Sequence, residues 1–125
     1  MERILVIDDN KHVGVIIKEL LEAEGYSVDT ALDGAAGMEL TNNFSYQLVI
    51  TDVFMPQKDG LEVLLELKQN NVGMGVIVIT GSGPTAAMGN MIRTASYMGA
   101  DRVLTKPLDY EHLTRVVKEV LELYH

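Results

Sequence analysis

Residues 47–60 run Gln47-Leu48-Val49-Ile50-Thr51-Asp52-Val53-Phe54-Met55-Pro56-Gln57-Lys58-Asp59-Gly60, an aliphatic run that delivers an acid into a turn. A short apolar run bounded by turn residues predicts a strand buried on both faces, and Pro56 and Gly60 exclude regular structure directly after it. Asp52 therefore sits where a buried strand opens to solvent. In open sheets of parallel strands, the rim at the carboxyl ends is where ligands bind.

Two further runs repeat the pattern on either side. Ile4-Leu5-Val6-Ile7 ends in Asp8-Asp9-Asn10, and Val76-Ile77-Val78-Ile79 ends in Thr80-Gly81-Ser82-Gly83-Pro84. Each predicts a buried strand. Ser27 to Ala31 alternates polar with apolar, which suits an edge strand, and Val103-Leu104 is a short strand before Thr105-Lys106-Pro107.

Between the strands the period changes to that of a helix. Lys11 to Glu24 carries Val13, Ile16, Ile17, Leu20 and Leu21 on one predicted face and stops at Gly25. Asp33-Gly34 opens a weaker helix running to about Asn43. Asp59, with Glu62 three residues on, suits the start of a third helix whose face is Leu61, Leu64 and Leu65. Met88, Met91, Ile92 and Ala95 mark a fourth, which Gly89 weakens by about 1 kcal/mol. Asp109 caps a fifth, faced by Leu113, Val116, Val117, Val120 and Leu121. Five alternating units predict a doubly wound (βα)5 α/β domain, a parallel sheet with helices on both faces. The runs at Ile4, Leu48 and Val76 are too apolar for an edge, so the expected strand order is 2-1-3-4-5. Asp8, Asp9, Asp52, Thr80 and Lys106 then meet at one rim.

Composition narrows the setting. The 125 residues suit one domain spanning residues 1–125, and without cysteine neither disulfides nor thiolate metal sites are available. No apolar stretch is long enough for a signal peptide or a membrane span, which points to a cytoplasmic protein without a membrane partner. A net charge of −8 argues against direct binding of nucleic acid and makes divalent cations the natural small partners. Three crowded carboxylates repel one another unless a cation lies between them. All-oxygen ligands on a loop rim suit Mg²⁺ or Mn²⁺, which keep several waters and accept a phosphate oxygen. A metal, a Lys and a Thr hydroxyl around an Asp compose a site for phosphoryl transfer to that Asp.

Over almost its whole length the chain resembles the receiver domain of two-component response regulators. The matching motifs are Ile7-Asp8-Asp9-Asn10, Asp52-Val53-Phe54-Met55-Pro56 with Asp59-Gly60, Ile79-Thr80-Gly81, and Gly99-Ala100-Asp101 followed by Lys106-Pro107. The resemblance implies a flavodoxin-like fold and a phosphoryl group received on Asp52 from a histidine kinase or histidine phosphotransfer protein. It implies Mg²⁺ held by Asp9, Asp52 and the Phe54 backbone carbonyl, with Asp8 assisting through water, and a cis Lys106-Pro107 peptide. Lys106 and Thr80 would contact the phosphoryl oxygens. The domain would promote its own phosphorylation and dephosphorylation and signal to an output domain or target protein through its last two helices and the strand between them. A phosphorylation-dependent dimer fits the same resemblance, as do a stand-alone chain and a receiver within a longer regulator.

Two departures stand out. Three residues before the lysine, where the family usually has Tyr or Phe, this chain has Val103, so an inward-turning ring cannot report on Thr80. Gly81 replaces the more usual Ala beside the large Phe54. Each site residue taken singly has a plain structural explanation: Asp8, Asp9 or Asn10 as a helix cap, Asp52 as a turn former, Lys106-Pro107 as a turn. His12, His112 and His125 lack metal-ligand spacing and read as surface residues. Among rival functions, a flavin or nucleotide site would want small residues rather than Asp8-Asp9-Asn10 after the first strand. A haloacid-dehalogenase-like phosphatase would want an acid where Asn10 stands. A partner-binding receiver without phosphorylation remains the alternative.

Overall fold

Four consecutive aliphatic residues leave no face for water, so the Ile4–Ile7 segment has to lie inside a sheet covered on both sides. That is where β1 (Arg3–Ile7) sits. The computed structural model describes residues 2–53, 60–70, 73–81 and 85–124, the backbone alone for residues 85–89. After β1 come α1 (Lys11–Ala23), β2 (Ser27–Ala31), α2 (Gly34–Asn43), β3 (Leu48–Asp52), α3 (Gly60–Asn70), β4 (Gly75–Thr80), α4 (Thr85–Tyr97), β5 (Arg102–Thr105) and α5 (Tyr110–Tyr124). The five strands are parallel in the order β2-β1-β3-β4-β5. The expected doubly wound sheet and its strand order are what the structure contains.

Strand side chains alternate between the faces, and two cores form accordingly. Ile4, Val6, Leu48, Ile50, Ile77 and Ile79 join α1 and α5 on one side. Leu5, Ile7, Val49, Val76 and Val78 join Val63, Leu64 and Leu67 of α3 and Ala95 of α4 on the other. Every residue of β3 and β4 is buried, whereas β2 is buried only at Val28 and Ala31 and β5 only at Leu104. Burial of each large aliphatic contributes roughly 1.5–3 kcal/mol, so the central strands are the rigid base beneath the rim.

Two helix faces differ from expectation. In α1 the buried residues are Gly14, Ile17 and Leu21; Ile16 is exposed, and Val13 and Leu20 are half-buried. In α3, Gly60, Val63, Leu64 and Leu67 are buried, Leu61 is half-buried and Leu65 is exposed. Each helix leans on a glycine that hydropathy alone ranks low. The α5 face is as expected at all five positions, and α4 runs through Gly89 and Asn90 without a break. The Asp59 cap and the Met88 side chain lie outside the described residues.

Candidate functional site at the carboxyl rim

Parallel register brings the strand ends level. Ile7 pairs with Thr51, Asp52 with Ile79, and Thr80 with Thr105, so the residues that follow β1 and end β3, β4 and β5 share one rim. Backbone bonds continue past the strands: Asp8 N donates to Ala31 O, Val53 N to Ile79 O, and Lys106 N to Thr80 O. The Lys106-Pro107 peptide is cis. Gly60 N donates to Val53 O at 2.9 Å, which sets the start of α3 against the end of β3.

Asp8, Asp52 and Thr80 are 2%, 4% and 1% exposed, although all three are polar; Asp9 is exposed. Buried charges need partners, and here the partner is Lys106. Its Nζ donates to Asp52 Oδ2 at 2.8 Å and lies 3.3 Å from Asp8 Oδ2, an ion-pair contact whose angles fall short of a hydrogen bond. The other Asp8 oxygen, Oδ1, accepts the backbone N–H of Asn10 at 2.8 Å. The Thr51 hydroxyl donates to the Asp52 carbonyl at 3.1 Å. The Thr80 hydroxyl is buried and has no hydrogen-bond partner among the described residues.

These contacts set the charge states. Burial pushes the Asp8 pKa up and the Asp52 charge adds to this; the Asn10 N–H and the Lys106 ammonium oppose it without cancelling it. For Lys106 burial pulls the pKa down, but the hydrogen bond to Asp52 and the charges of Asp52 and Asp8 together outweigh it and the pKa rises. The ammonium is thus firmly protonated between the two acids.

Carboxylate oxygens of Asp8, Asp9 and Asp52 all lie within 4.8 Å of one another. Three acids facing one ammonium leave the rim electron-rich, and an all-oxygen donor set of this kind fits a hard divalent cation. The side chains of Asp8, Asp9, Asp52 and Lys106 are brought together here and Thr80 ends β4 at the same rim, while the Phe54 carbonyl, the remaining expected ligand, lies outside the described residues. Sequence reasoning missed the Asn10 N–H on Asp8, since a cap signal says nothing about where the cap's own amide points. The site can hold a cation beside an acid and still offer an ammonium and a hydroxyl to a third, anionic group.

Comparison with known proteins gives the family. The family model for the response regulator receiver domain matches residues 4–118. The transcriptional regulatory protein RprY of Bacteroides fragilis is 33% identical over 119 residues, 95% of this chain and 49% of that protein. CpxR of Escherichia coli, also a transcriptional regulatory protein, is 33% identical over 125 residues, 100% of this chain and 51% of its own length. The chain thus spans about half the length of these curated relatives. Among solved structures, a CheY-like response regulator receiver domain protein from Methanospirillum hungatei superposes with a TM-score of 0.89 at 28% identity, covering 99% of this chain and 96% of that one. A receiver domain from Clostridium thermocellum gives 0.86 at 34% identity, with coverage of 98% and 95%.

Proposed function

Because this chain belongs to the response regulator receiver domain family, we propose that Asp52 is its phosphoacceptor, taking a phosphoryl group from a histidine kinase or histidine phosphotransfer protein in a Mg²⁺-dependent reaction. The domain is a signalling module of two-component systems. The observation that carries the assignment is Lys106 Nζ at 2.8 Å from Asp52, with Asp8 and Asp9 completing the acidic cluster.

Asp9, Asp52 and the Phe54 carbonyl would hold Mg²⁺, or Mn²⁺ in its place, with Asp8 assisting through water. A bound divalent cation would neutralise phosphoryl charge and bring the donor's phosphorus toward Asp52. One Asp52 carboxylate oxygen then forms a bond to phosphorus as the P–N bond to the donor imidazole breaks, its electron pair returning to the ring nitrogen. The product is an acyl phosphate on Asp52. Lys106, already protonated against Asp52, transfers its contact to a phosphoryl oxygen as negative charge moves outward. The buried Thr80 hydroxyl has an unused donor to give to another phosphoryl oxygen. In the later hydrolysis, water attacks phosphorus as the P–O bond to Asp52 breaks, which releases inorganic phosphate and restores the carboxylate, so the same residues serve both steps.

Val103 lies half-buried and, like Met91, Met98 and Ala100, packs against the core that includes Val76, Val78 and Ala95, with no ring to reorient. We therefore assign transmission to the segment after Thr80 and to α4, and expect hydrogen exchange in residues 82–98 to change on phosphorylation. Unchanged exchange there would remove this route. RprY and CpxR are transcriptional regulators; on that pattern the output is transcriptional control through another domain or protein, since a net charge of −8 disfavours contact with DNA by this domain.

The deciding experiment is the intact mass of wild type and Asp52→Asn after incubation with acetyl phosphate, with and without Mg²⁺. We expect a metal-dependent gain of one phosphoryl group that disappears in the variant. A gain that survives in Asp52→Asn would move the acceptor elsewhere. No gain in a folded wild type, with acetyl phosphate or with a phosphorylated histidine kinase, would favour a receiver that only binds partners.

A further inference from the structure

The two oxygens of Asp8 are used differently, and the difference originates one residue outside the acidic cluster. Oδ1 accepts the Asn10 N–H at 2.8 Å, while Oδ2 faces Lys106 Nζ at 3.3 Å. The terminal torsion of an Asp side chain is broad and carries little preference of its own. Something external must therefore fix which oxygen points where.

Asn10 is the N-cap of α1, in extended conformation at φ −87° and ψ 105°. Its side-chain Oδ1 accepts from His12 N at 3.0 Å and Val13 N at 3.3 Å, and its carbonyl accepts from Gly14 N at 3.2 Å. Three bonds thus tie Asn10 to the first turn of the helix, and they fix the direction in which its own N–H points. A cap whose only role was to start a helix could leave that N–H in solvent. Here it is spent on a carboxylate that is 2% exposed.

We infer that Asn10 is a positioning residue for the acidic site: its side-chain cap on α1 aims its backbone N–H at Asp8 Oδ1 and so turns Asp8 Oδ2 toward Lys106 and Asp52. This rests on the reading of the rim as a Mg²⁺-dependent phosphoacceptor site. Loss of the capping oxygen leaves the peptide plane free to rotate, Asp8 free to turn, and the ligand set less ordered before a cation arrives. Groups that orient a metal ligand from outside the coordination sphere commonly change metal affinity ten-fold or more.

The test follows amide chemical shifts through a MgCl₂ titration, with no phosphodonor, for wild type, Asn10→Ala, Asn10→Ser and Asp33→Ala. Asp33 caps α2 through Ala36 N at 2.8 Å and lies outside the acidic cluster, so its loss reports the cost of a missing cap alone. We expect Asn10→Ala to weaken Mg²⁺ binding roughly ten-fold. Asn10→Ser keeps a capping oxygen and should stay within about two-fold of wild type; Asp33→Ala should lower the melting temperature without changing Mg²⁺ affinity. With acetyl phosphate, Asn10→Ala should need more Mg²⁺ for half-maximal phosphorylation yet approach the wild-type rate at saturation. Unchanged Mg²⁺ affinity in Asn10→Ala, or equal weakening in Asp33→Ala, would overturn the inference and leave the phosphoacceptor reading standing. A folded wild type that binds no Mg²⁺ would bring down that reading, and the inference with it.

Discussion

Replacing Gly60 by alanine sets two well-characterised effects against each other at the foot of the acceptor strand. Gly60 is the first residue of α3, and alanine is ordinarily better than glycine in a helix by about 0.5–1 kcal/mol. A Cβ on Gly60, however, would come within 2.8 Å of the Asp52 carbonyl carbon and of Val53 Cα, and nearer still to the Asp52 carbonyl oxygen. These are backbone atoms at the end of a fully buried strand and of the residue after it, which cannot step aside as a side-chain tip could. Relief means moving α3 away, and that stretches the 2.9 Å bond from Gly60 N to Val53 O. Overpacking of this kind costs about 1–3 kcal/mol. The weakened bond adds about 0.5–1.5 kcal/mol. With the helix preference subtracted, the net loss is roughly 2 kcal/mol, a fall in melting temperature of about 6–10 °C for a domain of this size. Gly14→Ala is the control of opposite sign, because its Cβ would meet only Thr30 Cγ2 at 3.8 Å, an ordinary contact. It should gain about 0.5–1 kcal/mol. Urea unfolding of both variants by far-ultraviolet circular dichroism decides the matter. A Gly60→Ala protein as stable as wild type would refute the claim that α3 is seated directly on the Asp52 peptide.

Three further perturbations probe the charges. The native state holds the Asp8 proton to higher pH than the unfolded chain does, chiefly through burial, so between the ordinary value of 3.8 and the raised one the metal-free protein should lose stability as pH rises. Melting curves against pH should show Asp8→Asn lacking that loss and more stable than wild type at neutral pH without metal; an identical slope would contradict the assignment. Lys106 has the opposite consequence: its raised pKa stabilises the fold fully below 10.5, and that contribution disappears as pH rises through the native value. Lys106→Met should be less stable than wild type at neutral pH, and the gap should narrow in alkali. At the other end of the sheet, Lys68 Nζ donates to Tyr124 Oη at 2.9 Å and approaches Asp101 Oδ2 at 3.1 Å, while Tyr124 Oη donates to Asp101 Oδ1 at 2.7 Å. Tyr124→Phe should cost about 1–2 kcal/mol in urea unfolding, and combining it with Lys68→Met should cost less than the sum of the two.

The strands and the rim were legible because four aliphatic residues in a row admit one solution, a strand covered on both faces, and because the polar residue that ends such a run has nowhere to go but the rim. Asp8, Asp52 and Thr80 could be placed for that reason alone. The helix faces were less legible. In α1 the hydrophobic period favoured Ile16, yet the buried line of the helix is Gly14, Ile17 and Leu21, with Gly14 beside Thr30 of β2 and Ile16 turned out to solvent. In α3 Gly60 lies beside Asp52 and Leu65 is turned out in the same way. A glycine adds nothing to a hydrophobic pattern but decides which line of a helix comes nearest to the sheet. The unequal use of the Asp8 oxygens was not legible at all, since it depends on the direction of one peptide plane.

Among the described residues, two of the three buried side-chain atoms without a hydrogen-bond partner lie at the rim; the third, Glu2 Oε2, precedes β1 at the opposite end of the sheet. Asp8 Oδ2 has an ion pair without a hydrogen bond, and the Thr80 hydroxyl has no partner among the described residues. A buried polar group in that condition costs about 1–3 kcal/mol, and the crowding of Asp8 against Asp52 adds to it. The cost is tolerated because β3 and β4, which carry Asp52 and Thr80, are buried along their whole length and do not yield to it. On the proposed function, a cation among the acids and a phosphoryl group within reach of Lys106 and Thr80 would satisfy the same groups that the ligand-free protein leaves wanting. Linkage then requires each to stabilise the native state by an amount set by its own affinity. On that reading, a base buried along its whole length leaves the binding energy of a small ligand to act on the strand ends that carry Asp8, Asp52, Thr80 and Lys106.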